Sequence, residues 1–312
     1  MTRASTWLFA AVALGVVAPL LAPGFVFLPD MVWSPRPDWA DFLHGGVSIY
    51  FPVDAALALL GHIFPSEWVQ KLLLFGVLLL PGVAMERLAR PYVGRAYAFA
   101  AGLLYQCNPY VFERFAAGQW RVLLGYGLFP LVISFCLPLL RQFDRRRALM
   151  CLALLAAYPL LSLHWAAITA VFLLALAAAA LSGLVPSPSS RRLAAVCIAL
   201  VGILALAPLA LSLFQEGALL ARIGPQDFAA FDTRSDPRFG VWFNVLSLYG
   251  MWRADDLLPK HLLPWWWLVT PLLLALSAWG AAMLVRRRDA LGTVTVIAFF
   301  PVLVLAVGYA SP

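Results

Sequence analysis

Short arginine clusters interrupt a chain that otherwise consists of long apolar segments. Hydrophobic residues make up 63% of the 312 residues and charged residues only 12%, whereas a soluble domain carries about a quarter charged residues. The clusters are Arg3; Arg87, Arg90 and Arg95; Arg141, Arg145, Arg146 and Arg147; Arg191 and Arg192; and Arg286, Arg287 and Arg288. Because short loops rich in Arg mark the cytoplasmic face, the alternation predicts a multi-pass helical protein of the cell membrane.

The acidic residues follow the opposite pattern. Only Glu86, Asp144 and Asp289 share the Arg-rich loops. The other acids fall in connections on the opposite face: Asp30, Asp38, Asp41, Asp54, Glu67, Glu113, Glu216, Asp227, Asp232, Asp236, Asp255 and Asp256. Acids contribute little to orientation, so this distribution points to function on the outer face. The net charge of +7 arises from separate short loops between apolar spans, which does not predict a nucleic-acid partner.

About 20 apolar residues are needed to span a bilayer as a helix. The sequence predicts an all-α bundle of about nine transmembrane helices, at 6–28, 68–86, 94–108, 121–140, 148–163, 165–183, 193–214, 265–285 and 290–309. The stretch 148–183 is divided in two near Ser162–Trp165, because Arg on both sides requires an even number of crossings. The N-terminus is then cytoplasmic and the C-terminus outside.

We predict a single transmembrane domain over 1–312 with two long, structured outer connections, at 29–67 and 215–264. Both connections contain Pro, Trp, acids and apolar clusters, unlike a disordered linker. Val47–Phe64 is suited to an interfacial helix, with Pro52 near its start and aromatic anchors nearby.

Asp30 is the first candidate for chemistry. It follows the first predicted helix directly and stands between Pro29 and Pro35. A carboxylate at the membrane surface can act as a general base on a substrate hydroxyl. An interfacial acid that only ends a helix fits the position equally well.

The segment 108–121 is the second candidate. Pro109 disfavours helical geometry at Asn108, so the preceding helix ends there. Glu113, Arg114, Gln119, Trp120 and Arg121 then crowd a short stretch before the chain re-enters the bilayer. Arg presents a planar fork of donors to phosphate, and Trp offers a flat surface to a sugar or an isoprenoid. Interfacial anchoring explains the aromatic residues but not this set of charged and amide groups.

The third candidate lies in the second outer connection, where Trp252 and Arg253 precede the acid pair Asp255 and Asp256. Two adjacent carboxylates are a weak signal for a divalent metal ion, and such a pair is more often solvated. His164, at the turn inside 148–183, is interpreted as a polar turn residue.

Two motifs resemble segments of membrane glycosyltransferases of the GT-C fold. They are Asn-Pro-Tyr-Val-Phe-Glu-Arg-Phe-Ala-Ala-Gly-Gln-Trp at 108–120 and Leu-Ser-Leu-Tyr-Gly-Met-Trp-Arg at 246–253. The order of loops is similar over most of the chain to archaeal and bacterial members, distantly like the membrane part of arabinofuranosyltransferases. Members of this superfamily are usually longer, so the resemblance predicts a truncated chain that lacks acceptor-binding parts.

The resemblance implies transfer of a sugar from a polyprenyl-phosphate donor to a glycan or glycolipid acceptor on the extracytoplasmic side. It implies a catalytic acid just after the first helix, the place of Asp30, with Glu113 as a second acid. Arg114, Arg121 and Arg253 are then predicted to bind the donor phosphate. Gln119, Trp120 and Trp252 are predicted to line the substrate. No Asp-x-Asp motif stands at Asp30, which leaves the requirement for a divalent metal ion open.

Two alternatives remain beside this reading. A transporter or flippase for a lipid-linked substrate needs polar residues along a path through the bilayer, and the predicted spans offer mainly Ser, Thr, His164 and Lys71. A non-catalytic membrane assembly subunit is the other alternative. A polar tunnel through the bundle favours transport, whereas an outer groove open to lipid favours transfer.

Overall fold

A computed structural model describes residues 3–34, 50–141, 144–184, 192, 194–202, 233, 235–249, 266–287 and 289–307. The helices with their own bounds are α1 Arg3–Val17, α2 Phe51–Ile63, α3 Ser66–Gln106, α4 Pro109–Ala116, α5 Trp120–Arg141, α6 Arg145–Leu161, α7 Leu163–Leu181, α8 Gly240–Leu246, α9 Trp266–Arg286 and α10 Ala290–Val307. Residues 194–202 are helical as well. Within the described ranges the remaining regular structure is a 3-10 turn, Ala18–Leu21, and two isolated β-bridges. The prediction of an all-α chain is confirmed there.

Five helical stretches in the described ranges are long and apolar enough to cross a membrane. They are Ala4–Leu21, Ser66–Ala116, Trp120–Leu139, Leu163–Leu181 and Leu268–Arg286. The prediction of a helical membrane protein is therefore confirmed by length and composition. The count of nine crossings and the orientation of the termini stay predictions.

The first helix is shorter than the predicted 6–28. The α-helix ends at Val17, one 3-10 turn follows, and the chain is irregular from Ala22. Pro19 and Pro23 explain the difference, because a proline inside a helix removes a backbone donor and clashes with the preceding turn. The residues that follow are thereby released from the helix and form the irregular segment 22–34.

Helix α3 is a helical hairpin that reverses at Gly94. Gly94 has φ 75° and ψ 179° inside an otherwise helical stretch. A Cβ on Gly102 would lie 2.7 Å from the carbonyl oxygen of Gly82, and both glycines face the ring of Phe9 on α1. Residues twelve before and eight after Gly94 can touch only if the two arms run back alongside each other. The predicted helices 68–86 and 94–108 correspond to these two arms, but the first arm continues through residues 87–93, beyond the predicted end at 86.

The break inside 148–183 falls at Ser162, between α6 and α7, where the sequence places it. Trp165, on the first turn of α7, packs so closely on Gly125 of α5 that a Cβ there would lie 2.7 Å from the indole. Tyr158 Oη donates to the Gly125 carbonyl at 3.1 Å. The glycine therefore fixes the end of α6 and the start of α7 against α5.

The chain divides into two compact units. Unit 1 comprises 1–136, 149–166 and 204–216, and unit 2 comprises 137–148, 167–203 and 217–312. In unit 2, α9 packs against α10, and α8 also contacts α10. Most apolar side chains of α9 are exposed, which suits a lipid-facing helix. The single domain over 1–312 stays a prediction.

Candidate functional site

Four polar side chains at the start of α3 hold the irregular segment 22–34 through its backbone and the indole of Trp33. We call Ser66, Glu67, Gln70 and Lys71 the α3 clamp. Gln70 accepts from Val26 N at 2.9 Å and donates to Val26 O at 2.7 Å. Lys71 Nζ donates to Ala22 O at 2.7 Å, and Glu67 Oε2 accepts from Gly24 N at 2.8 Å. Ser66 Oγ accepts from Trp33 Nε1 at 2.7 Å. The backbone N–H and C=O groups of a segment that is not helical need hydrogen-bond partners from elsewhere. The α3 clamp supplies these partners to Ala22, Gly24 and Val26.

Asp30 occupies a tight turn at the centre of this segment. Leu28 and Met31 form a β-bridge around it, and Asp30 N donates to Ala117 O at 2.7 Å. Gly118, with φ +81°, approaches the turn so closely that a Cβ would lie 2.7 Å from Leu28 Cβ and 2.8 Å from Met31 Cβ. Only glycine combines this conformation with this contact. The turn that carries Asp30 therefore packs directly on the chain between α4 and α5.

A relay of two hydrogen bonds ends on the Asp30 carboxylate. Arg114 Nη1 donates to Gln119 Oε1 at 2.5 Å, and Gln119 Nε2 donates to Asp30 Oδ2 at 2.6 Å. Because guanidinium nitrogens only donate, the arginine fixes which end of the Gln119 amide faces Asp30. The three residues predicted separately from the sequence are thus joined in space, and the relay orients an exposed carboxylate.

Arg121, on the first turn of α5, contacts the first turn of α2. Its Nη2 forms a hydrogen-bonded ion pair with Asp54 Oδ1. Its Cζ lies 4.6 Å from the ring centre of Tyr50 and 4.8 Å from that of Trp120. Cation–π contacts of this kind hold a guanidinium in place. The helix predicted over Val47–Phe64 is therefore present as α2 in its described part and reaches the candidate site. Its interfacial position stays a prediction.

These groups border one open cleft of about 420 Å³ in unit 1. Its walls combine an acidic side chain, a basic side chain and aromatic rings, and they come from four separate parts of the chain. The lining residues are Asp30, Tyr50, Gly118, Gln119, Trp120, Arg121, Val122, Leu161, Ser162, Leu163 and His164.

Asn108 fixes α4, which carries Arg114. Its backbone is extended, and its side-chain oxygen accepts from Val111 N at 3.1 Å, as expected of an N-cap before Pro109. Its amide also donates to Tyr126 Oη at 3.0 Å, and Tyr126 stacks on Tyr105 with ring centres 4.0 Å apart. The helix end predicted at Asn-Pro is confirmed, and the cap ties α4 to α5.

Sequence reasoning missed two residues that line the cleft, Tyr50 and His164, and the ion-pair partner of Arg121, Asp54. It also included Glu113, which does not line the cleft. Asp54 and Tyr50 carried no motif, and only the packing of α2 on α5 brings them to Arg121. His164 was read as a polar turn residue, yet it lines the cleft. Glu113 is only 2% exposed and does not belong to the lining.

Several predicted site residues lie outside the described part of the chain. They are Trp252, Arg253, Asp255 and Asp256. In the ranges that are described, no three His, Cys, Asp or Glu side chains come together in the way a metal ion requires. The metal requirement stays open.

Comparison with protein-family models, with curated proteins and with solved structures finds no match to this chain.

Proposed function

We propose that unit 1 transfers a sugar from a polyprenyl-phosphate donor to a hydroxyl of a glycan or glycolipid acceptor, in the manner of GT-C glycosyltransferases. One observation carries the proposal. A carboxylate oriented by an Arg–Gln relay shares a single cleft with an arginine, at the ends of helices apolar enough to lie in a membrane. Glycosyl transfer needs a base at the acceptor hydroxyl and positive charge at the leaving phosphate.

In this proposal Asp30 is the general base. It takes the proton of the acceptor hydroxyl while the acceptor oxygen forms a bond to the anomeric carbon. The bond between that carbon and the donor phosphate oxygen breaks, and its electron pair leaves with polyprenyl phosphate. Gln119 and Arg114 are positioning residues that keep the Asp30 carboxylate directed towards the cleft.

Arg121 is proposed to stabilise the charge that develops on the leaving phosphate. Trp120 and Tyr50, which border the cleft beside it, offer flat surfaces to the sugar or to the first isoprene units. Because Glu113 does not line the cleft, we assign it no contact with substrate. The roles of Arg253 and Trp252, which lie outside the described residues, stay predictions from the sequence.

The proposed side of the membrane is extracytoplasmic. The arm of α3 from Ser66 to the Gly94 turn spans 28 residues, about 42 Å at 1.5 Å per residue. The α3 clamp and the cleft segment lie at its start, and Arg87, Arg90 and Arg95 lie around the turn at its far end. Positive residues at the turn favour the cytoplasm for that end, which supports an outer position for the cleft.

Asp30→Asn tests the proposal. The full chain is reconstituted in liposomes with synthetic polyprenyl-monophosphate glucose, mannose, galactose or arabinofuranose and with total membrane lipid as the acceptor source. Release of polyprenyl phosphate is followed by chromatography. Loss of a general base predicts a rate at least about 100-fold lower.

Asp144→Asn is the matched control, because Asp144 lies in unit 2 and bonds Arg146 N and Arg147 there. It should turn over donor at the wild-type rate. Full turnover by Asp30→Asn with every sugar that the wild type accepts would remove Asp30 from the mechanism.

One observation favours the second candidate, transport of a lipid-linked substrate. Glu86 is fully buried in the first arm of α3, and neither carboxylate oxygen has a hydrogen bond to the described residues. Ionisable groups at such depth often mark transport pathways. Flipping of a fluorescent polyprenyl phosphate in liposomes that depends on Glu86 and not on Asp30 would favour transport over transfer.

A further inference from the structure

Asp54 occupies the part of Arg121 that a phosphate needs. A guanidinium offers two edges for two-point contact, Nε with Nη2 and Nη1 with Nη2. Both edges share Nη2, and Nη2 is the nitrogen that bonds Asp54. Nε, which completes the first edge, is buried and has no hydrogen bond to the described residues. Nη2 has one N–H on each edge and bonds Asp54 through one of them. Because Nε is buried, a bidentate phosphate is left with the Nη1–Nη2 edge, where it would lie beside the Asp54 carboxylate.

The surroundings of Arg121 leave little room for another approach. The rings of Tyr50 and Trp120 lie within 5 Å of its central carbon, and the arginine and aspartate side chains are only 30% and 24% exposed. Charges that are partly shielded from water repel more strongly than exposed ones. A phosphate that binds Arg121 with Asp54 still in place would face a like charge at close range.

We propose that Asp54 determines which ligands the cleft accepts, by holding Arg121 until a phosphate group takes its place. The inference rests on the proposed function only in taking the cleft as a binding site for a phosphate, either that of a lipid headgroup or free in solution. Ligands with weaker or neutral headgroups gain too little from Arg121 to displace the carboxylate.

Replacement of Asp54 by phosphate on Arg121 should also affect α2. Asp54 N donates to Tyr50 O at 3.0 Å, so the aspartate and the tyrosine lie one helical turn apart and contact the same guanidinium. When phosphate replaces Asp54, α2 keeps the contact of Tyr50 and loses the ion pair. Phosphate binding should therefore loosen the backbone of Phe51–Ile63.

Binding by purified full-length chain in nanodiscs tests the exchange without any turnover. The probes are farnesyl phosphate, inorganic phosphate and farnesol, measured by calorimetry. Asp54→Asn should bind the phosphate probe about three- to fivefold more tightly than the wild type. This change in Kd corresponds to the free energy of one partly exposed ion pair. Asp54→Glu should keep the wild-type Kd, and Arg121→Gln should bind at least about tenfold more weakly.

Two arms distinguish the sources of the phosphate. If Asp54→Asn binds farnesyl phosphate more tightly than the wild type but inorganic phosphate equally, the site binds a lipid headgroup. If the affinity rises equally for both probes, the site binds free phosphate. Farnesol should bind the wild type and Asp54→Asn alike. In the wild type, the phosphate probe should raise the rate of amide hydrogen exchange over residues 51–63. In Asp54→Asn, the probe should leave this rate unchanged. Hydrogen exchange replaces calorimetry where protein yield is low.

An unchanged or weaker Kd in folded Asp54→Asn would overturn the inference, because it would show that Asp54 orients Arg121 for phosphate instead of competing with it. Absence of phosphate binding by both wild type and Asp54→Asn would overturn it as well. Failure of the proposed transfer is seen separately, as donor that is never cleaved despite normal binding. Asp144→Asn is again the control and should match the wild type throughout.

Discussion

Gln70 and Glu86 lie in the same arm of α3 and are both fully buried, yet among the described residues only Gln70 has hydrogen-bond partners for its side chain. Gln70 makes two hydrogen bonds to the backbone of Val26. Glu86, more than four turns further along, makes none from either oxygen to the described residues. The difference shows that burial alone does not indicate whether a polar side chain stabilises the fold. Its hydrogen-bond partners must be known as well.

The physical reason lies in what each end of the arm packs against. The α3 clamp meets segment 22–34, whose backbone groups are not used in a helix and need partners. Elsewhere the arm packs against other helices, such as α1, whose backbone groups already bond one turn along. A carboxylate there finds nothing to accept from and is costly to bury.

Gly118→Ala should have the largest effect on stability. It disturbs the segment 22–34 where this segment packs on Gly118, opposite the α3 clamp. The new Cβ would overlap Leu28 and Met31 at a positive φ, so we expect a loss of about 3 kcal/mol from strain and overpacking. Unfolding in mixed micelles with increasing SDS measures it. Gly183→Ala is the control, since Gly183 has φ +72° but nothing within 4 Å. Equal losses in the two variants would show that the close contact at Gly118 does not matter.

Gln70→Leu tests the partnered side of the comparison. It leaves the N–H and C=O of Val26 without their partners, which should cost about 2 kcal/mol. Gln106→Leu is matched in type and burial, but Gln106 makes one bond, to Phe9 O, and its Oε1 has no partner among the described residues. We expect a smaller loss in the same unfolding assay. A larger loss for Gln106→Leu would reverse the ranking of the two positions.

Glu86→Met tests the buried carboxylate of the comparison. It should have the smallest effect on stability and, unlike the other two substitutions, should increase it. Replacing a buried carboxylate that lacks hydrogen bonds by a flexible apolar side chain should raise stability by about 1 kcal/mol. Glu67→Met, in the α3 clamp, should instead lower stability, since Glu67 accepts from Gly24 N. If both substitutions destabilise the chain equally, Glu86 has a partner that matters and the comparison fails.

Much of the local structure follows from the sequence. Asn-Pro at 108–109 predicts a helix boundary, and Asn108 is the N-cap. The even number of crossings between Arg clusters predicts a break near Ser162, where α6 ends. Both signals act within a few residues, through proline geometry and the length of an apolar span. Glu86 shows the limit, because its Arg neighbours suggest a loop whereas the helix continues to the turn at Gly94.

The cleft was predicted only in part. Asp30, Gln119 and Arg121 were singled out by type and position, but nothing in Phe-Pro-Val-Asp-Ala marks Asp54 as a partner of Arg121. An ion pair forms where two helices happen to lie side by side, and the polarity of either helix alone does not contain that information. His164 is hidden for the same reason, since it lines the same cleft as Asp30 only once Trp165 packs on Gly125.

The sequence by itself determined that this protein is helical and suited to a membrane, because apolar length and the need to satisfy backbone hydrogen bonds are properties of each segment alone. It also determined two segment boundaries, the one at Asn108–Pro109 and the one near Ser162. Only the tertiary structure decided which ends share a cleft, which arginine reaches Asp30 through Gln119 and which is held by Asp54. Those choices depend on contacts between segments far apart in the chain, where a displacement of a few ångströms makes or removes a hydrogen bond.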